Sequence, residues 1–362
     1  MNHWQFSSTL FLSGVLLTAC STTHESEGTS SDLTADASTS SATAADSSAS
    51  ETTSDTTDSQ VCVDSSLGNG QTPRPTSEDA FGFTTALEAC SLSASEIAFC
   101  AGEDPSSSIT ESGDTRLITG NAIPNHDAAL FPNSGNPNTI SGQNIAYSVT
   151  MSPVKGDNPT DVRVSGVALN GIKMEPATAE VYSGGQWRYE ALLFAGRLDD
   201  DTVSMPGTSL GLDCNFAHVQ PTGEYHYHGV PTGLMPETPQ ITLVGWAADG
   251  FPILGRYGYN NANDTSSETR ELLGSYRLQN GERQPLSPND TATPPGEYDG
   301  TFVQDWIYDE TVGDLDECNG RDGEVTIDGV TYPYTYYLTH TYPFMPRCVW
   351  GTPDASFAGP PN

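Results

Sequence analysis

The sequence predicts an all-β protein, mostly antiparallel sheet or sandwich, with long loops and one or two short helices. Short runs rich in β-branched and aromatic residues recur between clusters of Gly, Pro, Asn and Thr, as in Asn144 to Thr150, Val162 to Leu169 and Gln240 to Trp246. Helical periodicity is scarce. The third observation is a hairpin that can be read directly from its turn chemistry, between Asp213 and Gly229.

The chain divides into three parts. Residues 1–20 read as a lipoprotein-type signal peptide. Leu10 to Leu17 is an apolar run well short of the ~20 residues that span a bilayer, and it ends in Leu17-Thr18-Ala19-Cys20. Cleavage before Cys20 leaves a lipidated cysteine, so the expectation is an exported chain anchored at the cell envelope without crossing the membrane. The usual Lys and Arg are missing ahead of the apolar run, a departure from that pattern; the alternative is a plain secretory signal, and both readings export the protein. Residues 21–60 are nearly all Ser, Thr, Ala, Asp and Glu, too polar to bury a core, and read as a disordered tether. Residues 61–362 form the β domain.

Within the domain, Ser77 to Cys100 is the best helical stretch, with Ser93 as N-cap for Ala94 to Cys100 and Glu96 at the capping-box position. In the hairpin, Pro221 presets a type I turn and Gly223 suits the left-handed position of a glycine bulge, which gives a three-residue loop, Pro221-Thr222-Gly223. Gln220 then faces Glu224, Val219 faces Tyr225, and His218 faces His226. The strand period of two sends Tyr225 and Tyr227 to one face and His226 and His228 to the other. His218, His226 and His228 are therefore expected to share a face and to offer three neutral nitrogens with an open coordination position, the pattern of a zinc or copper centre.

Other residues of the domain offer the same chemistry. His126 and His340 could add a ligand or shuttle protons, or simply cap loops. Glu190 and Asp249 are the carboxylates that could orient an imidazole or serve as base for a bound water, although Asp249 precedes Gly-Phe-Pro and also suits a turn. Asn215 and Gln220 read as turn residues.

The chain has 47 acidic and 13 basic residues, a net charge of -34. Eight of the acids and none of the bases fall in the tether, so the domain keeps -26. Binding to nucleic acid or an anionic membrane surface is not expected. The acidic run Asp199-Asp200-Asp201 is where calcium would be sought, and a solvated loop explains it equally. Beyond Cys20, six cysteines remain in a chain read as exported, so disulfides are expected. Six cysteines allow fifteen pairings, among which sequence alone does not choose. The favoured pairs are Cys318 with Cys348, which bracket a tyrosine strand, and the local pair Cys90 with Cys100.

Leu212-Asp-Cys-Asn215 echoes in Leu315-Asp-Glu-Cys-Asn319, and each copy leads into a Tyr-x-Tyr strand, the second being Tyr334-Thr335-Tyr336-Tyr337. With Ile123-Pro-Asn-His126, Asn136 to Ile140, Trp187 to Leu192, Ala217 to Gly229, Ala248 to Ile253, Leu315 to Arg321 and Pro346-Arg-Cys348, these residues resemble the YHYH domain proteins. The resemblance implies export and the importance of the hairpin, and brings no settled reaction. The sequence departs from the family at Thr335 and Tyr337, where relatives often carry histidine, which argues against a second metal site. Two function classes follow: a metal-dependent enzyme acting on a small or carbohydrate-like substrate, or a surface binding or metal-sequestering module without catalysis.

Overall fold

The computed structural model describes residues 87–133, 135–192 and 210–358. The expected signal peptide and tether, Cys62 and the Asp199-Asp200-Asp201 run lie outside the described residues. The helix α1 (Ala94–Ala101) is capped as expected: Ser93 accepts from the Glu96 amide while the Glu96 side chain accepts from the Ser93 amide. The preceding residues 87–93 are not helical. Glu88 and Leu92 instead make isolated bridges to Asp213 and Ala128.

The strands run in chain order as β1 (Ser107–Ser112), β2 (Thr115–Gly120), β3 (Ile145–Thr150), β4 (Thr160–Asp161), β5 (Gly166–Ala168), β6 (Lys173–Met174), β7 (Ala217–Val219) and β8 (Tyr225–Tyr227). They continue as β9 (Leu243–Ala247), β10 (Pro252–Leu254), β11 (Tyr257–Tyr259), β12 (Thr269–Glu271), β13 (Tyr276–Leu278), β14 (Trp306–Tyr308), β15 (Gly320–Ile327), β16 (Val330–Tyr337) and β17 (Cys348–Val349). Strands β1, β2 and β3 form an antiparallel sheet, and an eight-stranded sheet has the order β15-β16-β10-β9-β5-β6-β8-β7. The protein is all-β, with two parallel pairings, β6 with β8 and β10 with β16, set among antiparallel ones.

That strand order conceals an internal duplication. At the centre, antiparallel β5 and β9 pair Val167 with Trp246, Gly166 with Ala247 and Ala168 with Gly245. Exchanging β5 with β9, β6 with β10, β8 with β16 and β7 with β15 maps the sheet onto itself. The registers agree. Val167 pairs with Lys173 as Trp246 pairs with Pro252, and Met174 lies beside Tyr227 as Ile253 lies beside Tyr336. Ala217 faces Tyr227 and Val219 faces Tyr225, just as Gly320 faces Tyr336 and Asp322 faces Tyr334. Glycine is required at the crossing: a Cβ on Gly245 would stand 2.2 Å from the Val167 carbonyl oxygen, and one on Gly166 would stand 2.6 Å from the Trp246 carbonyl oxygen.

The loops repeat as well. Asp213 Oδ1 accepts from the amides of Asn215 and Ala217, and Oδ2 from the Tyr225 hydroxyl at 2.6 Å. Asp316 does the same with the amides of Cys318 and Gly320 and the Tyr334 hydroxyl at 2.9 Å. Both loops put a non-glycine residue in the left-handed region at the same place, Phe216 (φ 53) and Asn319 (φ 60). In the β5–β6 turn Asn170 donates to the Tyr227 hydroxyl, and in the β9–β10 turn Asp249 accepts from the Tyr336 hydroxyl.

The four tyrosines belong to the main core, with Met174 and Ile253 of the large sheet, Phe251 from the β9–β10 turn, Ile118 and Val149 of the small sheet, and Ile97 of α1. Two disulfides are described, Cys318 with Cys348 as expected and Cys90 with Cys214. The expected Cys90 to Cys100 bridge is corrected by the second of these, and Cys100 is disulfide-bonded in its own right. The bridge of Glu88 to Asp213 brings the two segments together two residues before Cys90 and one before Cys214, so Cys90 takes its partner across the fold. Among the described residues no helix is long and apolar enough to cross a membrane.

Candidate metal centre

The hairpin closes as its turn residues dictate. Gln220 and Glu224 exchange the closing bond (Gln220 N to Glu224 O, 2.9 Å), the Gly223 amide donates to the Gln220 carbonyl, and Gly223 has φ 86. His218 faces His226. The alternation then sets the three imidazoles together, with ring centroids 4.7 Å apart for His218 and His226, 4.8 Å for His218 and His228, and 4.6 Å for His226 and His228.

Their ligand nitrogens all lie within 4.8 Å of one another, and Nε2 of His218 and Nε2 of His228 are 3.1 Å apart. Two nitrogens bound to one tetrahedral ion at ~2.05 Å would be separated by roughly 3.3 Å. Backbone carbonyls select the tautomers. His218 Nδ1 donates to Leu210 O at 2.8 Å, and His226 Nδ1 to Glu224 O at 3.4 Å, so each Nε2 keeps its lone pair for an ion. His228 Nδ1 is buried and makes no well-formed hydrogen bond.

Burial also fixes protonation. His226 and His228 are 2 % and 3 % exposed, and His218 is half-buried. Desolvation pushes the pKa of His218 down and those of His226 and His228 well down, with repulsion among the three adding to it for His226 and His228. Three imidazoles held neutral near pH 7 are three ready donors, so the donor set, the tautomers and the spacing all fit a divalent transition ion.

A charged clamp beside the trio was not read from the sequence. Lys173 Nζ contacts Glu175 Oε2 at 3.1 Å, Glu224 Oε2 at 3.1 Å and Gln220 Oε1 at 3.0 Å, which uses all three of its protons. Glu175 is held further by Arg163 at 3.0 Å and Gln220 Nε2 at 3.0 Å. The array ties β6 to both ends of the turn, and so holds β7 and β8 in register. The alternation Lys173-Met174-Glu175, with charges flanking a core residue, was its only signal in the sequence.

The remaining candidates are spread through the fold. His126 lies on the tyrosine side of β8: its Nε2 meets the Tyr227 hydroxyl at 2.7 Å and its Nδ1 the Asp127 carbonyl at 2.9 Å. His340 sits with Arg256 and Glu271. Glu190 is fully buried against Arg347 at 2.6 Å, and desolvation raises its pKa despite that cation. Asp249 is a turn carboxylate that accepts from Tyr336, Gly351 and Phe251. Asn215 secures its loop by donating to Asp127 O and accepting from the Gly233 amide.

In the second copy the counterparts of His218, His226 and His228 are Arg321, Thr335 and Tyr337. Tyr337 packs there with Leu254, Leu272, Leu315 and Val325, so an apolar cluster takes the place of His228, while Arg321 donates to the Tyr259 carbonyl. Fold and site together define a duplicated β-sheet domain with one three-histidine face. Residues 146–351 match the family model described as YHYH protein, and the chain belongs to that family. No curated protein and no solved structure gives a significant match.

Proposed function

We propose that the domain binds one zinc or copper ion through Nε2 of His218, His226 and His228 and uses it for chemistry on a small substrate. The observation that carries this is the convergence of three neutral imidazoles, two of them with Nδ1 tied to backbone carbonyls. Three protein ligands leave a position for water or substrate, and an ion there supplies Lewis acidity and an acidified water. The chain's own residues set the stage: Lys173 and its carboxylates fix the hairpin, and the depth of His226 and His228 favours a small substrate over a sugar ring. Export and anchoring at Cys20 belong to the same reading, and the disulfides support an oxidising compartment.

Metal content of the purified protein, measured by plasma mass spectrometry, tests the assignment. About one equivalent of zinc or copper is expected in the wild type, and a small fraction of that in His226→Ala with the fold intact. Equal metal in both proteins would show that the ligands are misassigned. Stoichiometric metal, with no turnover of hydrolytic or redox probe substrates, would favour a sequestering module instead.

A further inference from the structure

The duplication exposes a difference at the outer edges of the sheet. In the first copy the chain covers the edge of β7 itself. Asn133 Nδ2 donates to the Gly211 carbonyl at 3.1 Å, Asn136 Nδ2 to Leu210 and Val219 at 3.4 and 2.9 Å, and Asn138 Nδ2 to Val219 at 2.8 Å. Three asparagine carboxamides thus serve as the partner of this edge.

Aligning Asp213 with Asp316 makes Gly313, Asp314 and Asp322 the counterparts of Leu210, Gly211 and Val219. In the second copy these residues line an open cleft of about 360 Å³, together with Arg321, Trp350 and the exposed Glu310. No described residue donates to the carbonyls of Gly313 and Asp314. Asp322 lies opposite Tyr334 as Val219 lies opposite Tyr225, so its carbonyl points to the open edge by the antiparallel alternation. By this alignment the cleft borders the residues whose counterparts the three asparagines cap in the first copy.

We infer that this cleft is a peptide-binding site for a neutral extended segment whose asparagine side chains donate to the carbonyls of Gly313, Asp314 and Asp322. Its charge points the same way. Lys155 pairs with Asp322 and Arg270 with Asp314, and with Arg321 these cations leave one carboxylate in excess among Glu310, Asp314, Asp316 and Asp322, so a neutral segment is preferred to an acidic one. Trp350 supplies an aromatic wall at one side. The site is separate from the histidine trio and does not depend on metal.

The probe is a fluorescent peptide with the sequence of residues 131–140, Phe-Pro-Asn-Ser-Gly-Asn-Pro-Asn-Thr-Ile, titrated with the intact folded domain and read by anisotropy. Saturable one-to-one binding is expected, at least tenfold weaker when the three asparagines of the peptide are aspartates. Glu310→Trp fills the cleft from an exposed position and should weaken binding at least tenfold with an unchanged circular dichroism spectrum. His226→Ala should leave binding unchanged, whatever its metal content. No saturable binding to the wild type, equal binding of the aspartate peptide, or full binding by Glu310→Trp would each overturn the assignment.

Discussion

Replacing His226 by Gln isolates what burial does to the imidazoles. His226 is 2 % exposed, and burial first, then repulsion from His228 and His218, hold its pKa well below the ordinary 6.5. The unfolded chain takes up a proton near pH 6.5 that the folded chain refuses. The unfolded state therefore binds more protons, and stability falls as pH falls through that value. For one such side chain the loss between about pH 7 and about pH 5.5 is roughly 1 kcal/mol, with a limiting slope of about 1.4 kcal/mol per pH unit. Gln keeps much of the shape and the capacity to hydrogen-bond but does not titrate. His226→Gln should accordingly lose roughly 1 kcal/mol less than the wild type over that interval.

Guanidinium unfolding at the two pH values, with a chelator present to remove metal linkage, measures the difference. Glu190, Asp213 and Asp249 are buried carboxyls with raised pKa, so their contribution is lost as pH rises, the opposite sense. They are common to both proteins and cancel in the comparison. Identical pH dependence in wild type and variant would refute the buried, neutral state of this imidazole.

Three further outcomes rest on the duplication and the disulfides. Asp213→Ala and Asp316→Ala each strand a buried tyrosine hydroxyl and two amides, so both should cost on the order of 3 to 6 kcal/mol in unfolding experiments, while only Asp213→Ala should also lower metal affinity. Gly245→Ala should destabilise by about 3 kcal/mol or more, because the wall its Cβ meets is backbone at 2.2 Å; a loss under about 1 kcal/mol would show that the central strands yield easily. Removing the Cys90 to Cys214 bridge, which closes a separation of 124 residues, should cost about 5 kcal/mol, against about 4 kcal/mol for Cys318 to Cys348 at 30 residues. Thermal unfolding of the two cysteine-pair variants gives the order.

What could be read in the sequence was what short-range chemistry determines. Pro221 and Gly223 fixed a loop length, the loop length fixed the register, and the register put His218 opposite His226. The cap at Ser93 was legible for the same reason. Long-range partners were not. Cys90 chose Cys214 across the fold, and Glu190 met Arg347 through packing that no local pattern records. The duplication is legible at Leu212-Asp213 and Leu315-Asp316, where both aspartates hold the same loop, whereas the asparagines of the two echoes fall one position apart, Asn319 standing in the place of Phe216. Asn170-Gly171 and Asp249-Gly250 are also counterparts, but one donates to its tyrosine and the other accepts, so a shared geometry is written in different letters.

The second copy bears on what the histidines are for. Arg321, Thr335 and Tyr337 stand on a hairpin with the same register, the same aspartate-tyrosine pair and the same left-handed loop residue as the first, and that hairpin is completed by apolar packing. The second copy of the scaffold therefore closes without any imidazole. The surroundings differ in the same sense: Lys173 and Glu175 flank the trio where Pro252 and Leu254 flank the plugged counterpart. Placing three neutral imidazoles, two of them buried, where the second copy has an arginine, a threonine and a packed tyrosine forgoes the apolar contacts of that tyrosine. Such a loss is sustained in a fold when the nitrogens have work to do, and the work that three convergent Nε2 atoms can share is to hold an ion.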